Sequence, residues 1–89
     1  MRDITETTEK IIQLLSEETT DPKEKAFLEK VKKKLNITHG QLLQEIETLR
    51  FWDVAEFRME SAITGSKLYR LPNFRPVILA GGLAKFVEQ

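Results

Sequence analysis

The stretch that decides the fold runs from Asp21 to Leu71 and reads DPKEKAFLEKVKKKLNITHGQLLQEIETLRFWDVAEFRMESAITGSKLYRL. Its apolar residues first follow the helical period of about 3.6 residues and then, from Val54, the shorter period of a strand. Asn36 interrupts the helical pattern, and Gly65 supplies the turn of a hairpin. The sequence therefore predicts a helix, a tight turn, a second helix and a β-hairpin, in that order.

Two helices are predicted ahead of the turn. The first covers residues 4–18, with Asp3 as its N-cap and Glu6 completing a capping box. The second opens with Asp21 as its N-cap and Pro22 in the first helical position, where proline is well tolerated. These local signals set the expected starts of both helices.

The third helix is predicted over about residues 38–50. Thr38 is its N-cap and Gln41 is the partner in a capping box. Asn36 before this helix and Asp53 after it are suited to the left-handed backbone that ends helices. The hairpin that follows is predicted over about residues 54–71.

The tail, residues 74–89, differs from the domain predicted over residues 1–73. It has one charge among residues 77–87, and Pro76 suits a helix start. The two consecutive glycines at 81 and 82 weaken any helix, so a short strand with a helical turn is the alternative. A helix is favoured, either packing on the domain or forming a dimer interface.

Composition limits the class of protein. The 89 residues suffice for one small domain, and there is no cysteine for disulfides or thiolate metal sites. No apolar run is long enough to span a bilayer, and the N-terminus does not look like a signal peptide. A protein that stays in the cytoplasm and makes no membrane contact is therefore expected.

Charge is balanced overall but uneven along the chain. The formal net charge is +0, which argues against a non-specific nucleic-acid coat. Residues 22–37 nevertheless carry six lysines against two glutamates, whereas residues 38–54 carry one arginine against three acidic residues. Positive charge therefore precedes the third helix and is not carried on it.

At Leu35-Asn36-Ile37-Thr38, the chain resembles the winged-helix superfamily of transcription regulators, including the MarR-like and ArsR-like groups. The resemblance covers about residues 5–71 and includes the spacing of a further set of residues: Leu42, Ile46, Leu49, Asp53 and Val54. Asp53 stands where those proteins commonly have glycine. The resemblance implies an α+β, mainly helical winged helix: a three-helix core, a β-hairpin wing and here an extra C-terminal helix.

The resemblance also implies a function and a set of site residues. A sequence-specific regulator would place residues 38–50 in the major groove of double-stranded DNA and residues 54–71 on the backbone or minor groove. Base readout is expected from the start of the third helix, by Thr38, His39, Gln41 and Gln44. Phosphate contacts are expected from Lys32, Lys33 and Lys34. Wing contacts are expected from Arg58, Lys67 and Arg70, with Ser66 at the wing tip.

Other kinds of site find little support in the sequence. His39 has no carboxylate or thiol at ligand spacing, so no metal is expected. No phosphate-binding glycine loop or serine nucleophile motif occurs, so neither a cofactor nor catalysis is expected. At least one of Phe51 and Trp52 is expected to pack under the wing.

Two further expectations concern partners. A homodimer is favoured because a single winged helix of this size exposes surface that a second copy would cover. The second hypothesis is a protein-interaction module in a larger assembly that does not bind DNA. A positive surface around Gln41, Gln44 and the wing would favour DNA, whereas a neutral or apolar surface would favour a protein partner.

Overall fold

The computed structural model describes residues 3–89, and the protein is α+β and mainly helical. Three helices are followed by an antiparallel hairpin and two short helices. The elements, in chain order, are α1 (Glu6–Ser16), α2 (Glu24–Leu35), α3 (His39–Phe51), β1 (Ala55–Ser61), β2 (Gly65–Arg70), α4 (Phe74–Ala80) and α5 (Leu83–Val87). The predicted order of helices and hairpin is confirmed.

Helix α1 is shorter than predicted, and its N-cap is different. Thr5, not Asp3, is the N-cap, and its hydroxyl accepts a hydrogen bond from the Thr8 N–H at 3.2 Å. The Thr8 hydroxyl in turn accepts from the Thr5 N–H at 3.0 Å, which leaves Glu6 outside the capping box. Thr8 is fully buried, so this cap joins the start of α1 to the core.

Helix α2 begins at Glu24, so the prediction of Asp21 as its N-cap is wrong. The Asp21 carboxylate instead accepts a hydrogen bond from Arg70 at 2.8 Å. The Pro22 carbonyl accepts from the Leu68 N–H at 2.9 Å, and the following residue bridges to β2. The segment before α2 therefore runs extended beside β2, because these long-range hydrogen bonds replace the local cap.

The turn and the start of α3 match the prediction closely. Asn36 has a left-handed backbone with φ 53°. The Thr38 hydroxyl accepts from the Gln41 N–H, and the Gln41 amide oxygen accepts from the Thr38 N–H, both at 3.1 Å. Asp53 ends the element with φ 57°. These residues encode their own conformation locally, which is why the sequence alone predicts it.

The hairpin pairs Ala55 with Arg70 and continues to Ser61 opposite Gly65. Three residues, 62–64, form its loop, and Gly65 takes the positive φ of 77° that such loops require. This hairpin is called the wing below. Two residues of the wing, Ala55 and Leu68, are fully buried against the helices.

Among residues 3–89, the buried apolar side chains form one core between the first three helices and the inner face of the wing, and this core includes Val77 and Leu83 of the tail. Its fully buried side chains of largest volume include Phe27, Ile11, Leu15, Leu42, Leu49 and Leu68. Burial of one such side chain contributes roughly 1.5–3 kcal/mol. Trp52 packs partly buried against this core, as expected for one of the two aromatic residues, while Phe51 is 56% exposed.

The tail forms two short helices instead of the single predicted helix. The break lies at Gly81 and Gly82, whose φ angles are 93° and 140°. Val77 and Leu83 are fully buried, so both helices pack on the rest of the domain. No helix among residues 3–89 is long and apolar enough to cross a membrane.

Helix α5 is capped by a residue of α1. The Glu9 carboxylate accepts hydrogen bonds from the N–H groups of Leu83 at 2.7 Å and Ala84 at 3.0 Å. Gly82 precedes these donors and has no side chain with which to cap them. A carboxylate at a helix N-terminus is favourable because it meets free N–H groups and the positive end of the helix dipole.

Candidate nucleic-acid interface

Helix α3 presents one stripe of side chains directly away from the core. Gly40, Gln44, Glu47 and Phe51 recur at helical spacing, and all four are exposed. Open space surrounds Gly40, where a Cβ atom would meet nothing within 4 Å. The first two turns of α3 therefore allow the backbone of the helix to approach another molecule closely.

The two acidic residues of α3 are both engaged within the protein. Glu45 points to α1, where its carboxylate accepts a hydrogen bond from the buried Thr8 hydroxyl. Glu47 forms an ion pair with Arg50 at 3.0 Å. Residues 39–44 contain no acidic side chain, and the exposed carboxylate of Glu47 farther along the stripe is compensated by Arg50.

A groove separates α2 from the start of α3 and has a volume of ≈ 420 Å³. Its lining comprises four charged residues and one leucine of α2 and two residues of α3: Glu24, Lys25, Leu28, Glu29, Lys32, His39 and Leu43. His39 therefore faces this α2–α3 groove, whereas Gln44 lies on the outer stripe. The α3 side of the groove is partly apolar because Leu43 is 41% exposed.

A second recess lies between the start of α2 and the loop of the wing, with a volume of ≈ 370 Å³. Lys23, Glu24 and Lys25 line one side, and residues 62–66 line the other. Glu24 and Lys25 line both this wing-loop recess and the α2–α3 groove. The start of α3, the start of α2 and the wing loop thus share one continuous surface, called the candidate face below.

The lysine run predicted to contact phosphates does not form one patch. Lys32 lies in the α2–α3 groove and pairs with Glu29 at 3.2 Å. Lys33 and Lys34 are exposed, but successive residues of an α-helix point about 100° apart. Lys34 therefore lies about 200° around α2 from Lys32, so three neighbours in sequence project in three directions.

Two of the predicted wing cations are paired with acidic residues of the wing itself. Arg58 forms an ion pair with Glu56, and Lys67 pairs with Glu60 at 2.7 Å. The hydrogen bond and charge of the Glu60 carboxylate raise the pKa of Lys67 above its ordinary value. The wing therefore carries cations whose charge is largely compensated.

Arg70 faces the helices and does not lie on the outer surface of the wing. Its guanidinium donates to Asp21, to the Leu15 carbonyl at 2.8 Å and to the Glu18 carbonyl at 2.7 Å. It also lies over the Phe74 ring, 5.1 Å from the ring centroid. Arg70 is expected from the sequence among the wing contacts, and in the structure its donors join β2 to the end of α1 and the segment that follows it.

The remaining predicted site residues occupy mixed positions. The Thr38 and Gln41 side chains form the capping box of α3, although both residues are exposed. Ser66 lies in β2 next to the loop, with its hydroxyl 3.9 Å from the Met59 sulfur. Gln44 is exposed on the outer stripe. The structure thus brings His39 and Lys32 together in the groove and separates both from Arg70.

Sequence reasoning missed the position of Lys23 and Lys25. Both are exposed, and within residues 3–89 neither takes part in an ion pair. They reach the wing loop because the segment before α2 pairs with β2. The residues at the start of α2 do not by themselves predict that pairing.

Within the part of the chain that the structure describes, no group of three or more His, Asp or Glu side chains is placed to hold a metal ion. No protein-family model, no curated protein and no solved structure matches this chain. The geometry of the candidate face therefore supplies the basis for a functional assignment.

Proposed function

We propose that this chain is a winged-helix DNA-binding protein, with α3 in the major groove and the wing on the neighbouring backbone or minor groove. The observation that carries the proposal is the exposed start of α3, where Gly40 and Gln44 face outward and the next carboxylate on the stripe, that of Glu47, is paired with Arg50. Glutamine can pair bidentately with adenine in the major groove. Because Gly40 has no side chain, the backbone of α3 can lie deep in the major groove.

The charge on the candidate face supports the same proposal. Lys23 and Lys25 lie between α2 and the wing loop, together with Glu24. These two lysines would neutralise one or two phosphates, which gives weak and salt-sensitive affinity. Arg58, Lys67 and Arg70 contribute less than the sequence predicts, because each is already paired.

In this proposal the protein regulates transcription as a homodimer. Two copies would place their α3 helices in major-groove half-sites about one helical turn of DNA apart. Ile78 and Leu79 of α4 are exposed apolar residues outside the candidate face. They are the surface that we assign to contact between the two copies.

The test is a fluorescence-anisotropy titration with random duplex DNA at two salt concentrations. The expected result is micromolar binding that weakens steeply as salt rises. Lys25→Ala should weaken binding to every duplex and lower the salt slope by about one. The matched control is Lys85→Ala on α5, which removes an exposed lysine outside the candidate face and should leave binding unchanged.

Sequence readout needs a separate variant. Gln44→Ala should relax the choice of sequence in a site-selection experiment while leaving the salt slope unchanged. If Gln44→Ala and Lys25→Ala produced the same uniform loss, the division of roles between base readout and phosphate contact would be wrong. An absence of binding at low salt would reject the DNA-binding proposal altogether.

A second candidate function, a protein-interaction module, is favoured by a different observation. Leu43 and Phe51 are exposed on α3, and Met59 is 71% exposed on the wing. Phenylalanine and methionine are enriched in protein interfaces relative to the rest of the surface. If DNA binding fails, this surface becomes the first candidate for a protein partner, and alanine at Phe51 should reduce binding to any partner then identified.

A further inference from the structure

We infer that Ile63, at the tip of the wing, is an apolar wedge that enters the minor groove of the bound DNA and partly unstacks a base step. This inference rests on the proposed function, since it specifies what the wing does in that complex. Minor-groove proteins use isoleucine, leucine, methionine or phenylalanine in this way, and the insertion kinks the duplex.

The exposure of Ile63 is the starting observation. Its side chain is 96% exposed, at the tip of a loop that reaches beyond the core. Single exposed apolar residues are common on protein surfaces and need no explanation by themselves. Here, however, the exposed isoleucine belongs to a loop that is structurally braced and lies on the candidate face.

The loop is braced by hydrogen bonds to one hydroxyl. The Ser61 Oγ accepts from the N–H groups of Ile63 at 3.2 Å and Thr64 at 2.9 Å. It also lies 2.7 Å from the Thr64 hydroxyl. These bonds fix the backbone that carries Ile63, so less conformational entropy is lost when the side chain is buried in a partner.

The charge distribution at the wing tip favours insertion of an apolar side chain into DNA over attraction of a cation to it. Residues 62–66 contain no charged side chain, and Lys67 next to them is paired with Glu60. The wing tip therefore offers no cation to the negative minor groove. What it presents is the apolar side chain of Ile63, with phosphate contacts available from Lys23 and Lys25 across the recess.

The position of the wing loop indicates that DNA is the molecule into which Ile63 inserts. The wing-loop recess and the α2–α3 groove share Lys25, so the loop lies on the same surface as the start of α3. With α3 in the major groove, a neighbouring hairpin meets the backbone and the adjacent minor groove. Pyrimidine–purine steps such as TA unstack most readily, and they are the expected place of insertion.

The experiment uses the full chain and duplexes that carry 2-aminopurine at a central TA step, where unstacking raises the fluorescence of that base. Wild type should raise the fluorescence when it binds. Ile63→Ala should still bind, about tenfold more weakly, with the fluorescence rise lost. Ile63→Phe should retain the rise, because phenylalanine is also an effective wedge.

The control is Lys85→Ala, which shortens an exposed side chain of α5 that lies outside the candidate face and outside the α4 surface assigned to contact between the two copies. It should retain both DNA affinity and the fluorescence rise. If wild type binds DNA without a rise, or if Ile63→Ala retains it, the wedge is rejected while the DNA-binding function stands. If wild type fails to bind any duplex at low salt, both proposals are rejected.

Discussion

The guanidinium of Arg70 donates from Nη1 to the Oδ1 atom of Asp21 across 2.8 Å, and this ion pair joins the end of β2 to the segment before α2. The same guanidinium satisfies two carbonyl groups at the end of α1. One side chain thus fixes the wing relative to two helices. Its loss would remove three hydrogen bonds to partly buried acceptors, of which the Leu15 carbonyl keeps a donor in the Glu18 N–H at 3.1 Å.

We expect Arg70→Ala to lower the free energy of unfolding by about 2 kcal/mol, since unsatisfied buried polar groups are costly. Urea denaturation monitored by circular dichroism would measure the change. Arg58→Ala is the matched control, because its ion pair with Glu56 is more exposed and should contribute less than about 1 kcal/mol. Equal losses in the two variants would contradict the role assigned to Arg70.

Asp53 has a left-handed backbone at the exit of α3, with φ 57°. We expect Asp53→Gly to keep or raise the midpoint of thermal unfolding, because glycine adopts this conformation without strain. Asp53→Val should lower stability by about 1–2 kcal/mol, since a branched side chain is strained there. A calorimetric comparison of the two variants checks the prediction, and an unaffected valine variant would refute it.

The cap that Glu9 provides for α5 depends on the absence of a side chain at Gly82. A Cβ atom there would lie 3.1 Å from both Glu9 carboxylate oxygens, and the backbone has φ 140°. We expect Gly82→Ala to cost about 2 kcal/mol and Glu9→Ala about 1 kcal/mol. In a double-mutant cycle the two losses should be less than additive, because both remove the same cap.

Gly40 offers a test that separates function from stability. Gly40→Ala should stabilise the protein by up to about 1 kcal/mol, because alanine favours a helix and meets no neighbour here. In the proposed complex it should nevertheless weaken DNA binding, since the new methyl group holds α3 away from the groove. Unfolding and anisotropy measurements on one preparation would compare both effects, and unchanged affinity would place Gly40 outside the contact.

The sequence predicts best those features that depend on a few adjacent residues. The box formed by Thr38 and Gln41, the left-handed Asn36 and the left-handed Asp53 are all encoded within one turn of chain. The predicted start of α2 is wrong because the Asp21 side chain, the expected N-cap, is bound by Arg70, a residue 49 positions away. Local capping rules consider only neighbouring residues, so they do not predict a hydrogen bond between Asp21 and a residue so far along the chain.

The candidate site shows the same limit. The run Lys32–Lys34 is plain in the sequence, but helix geometry spreads its side chains around α2. The contribution of Lys25 depends on the wing loop, which reaches it through pairing between β2 and the segment before α2. The pairing of Lys67 with Glu60 crosses the hairpin and depends on strand register, whereas Arg58 and Glu56 pair because they are two residues apart on one face of β1.

The contact between Glu9 and α5 also has a consequence for how the chain folds. Glu9 is 74 positions from Leu83 and 75 positions from Ala84. During synthesis the contact therefore cannot form until residues 83 and 84 have emerged from the ribosome. Contacts of such long range form late and slow the folding of small domains. We therefore expect the core around α2, α3 and the wing to assemble first, with the two C-terminal helices docking onto α1 as the closing step.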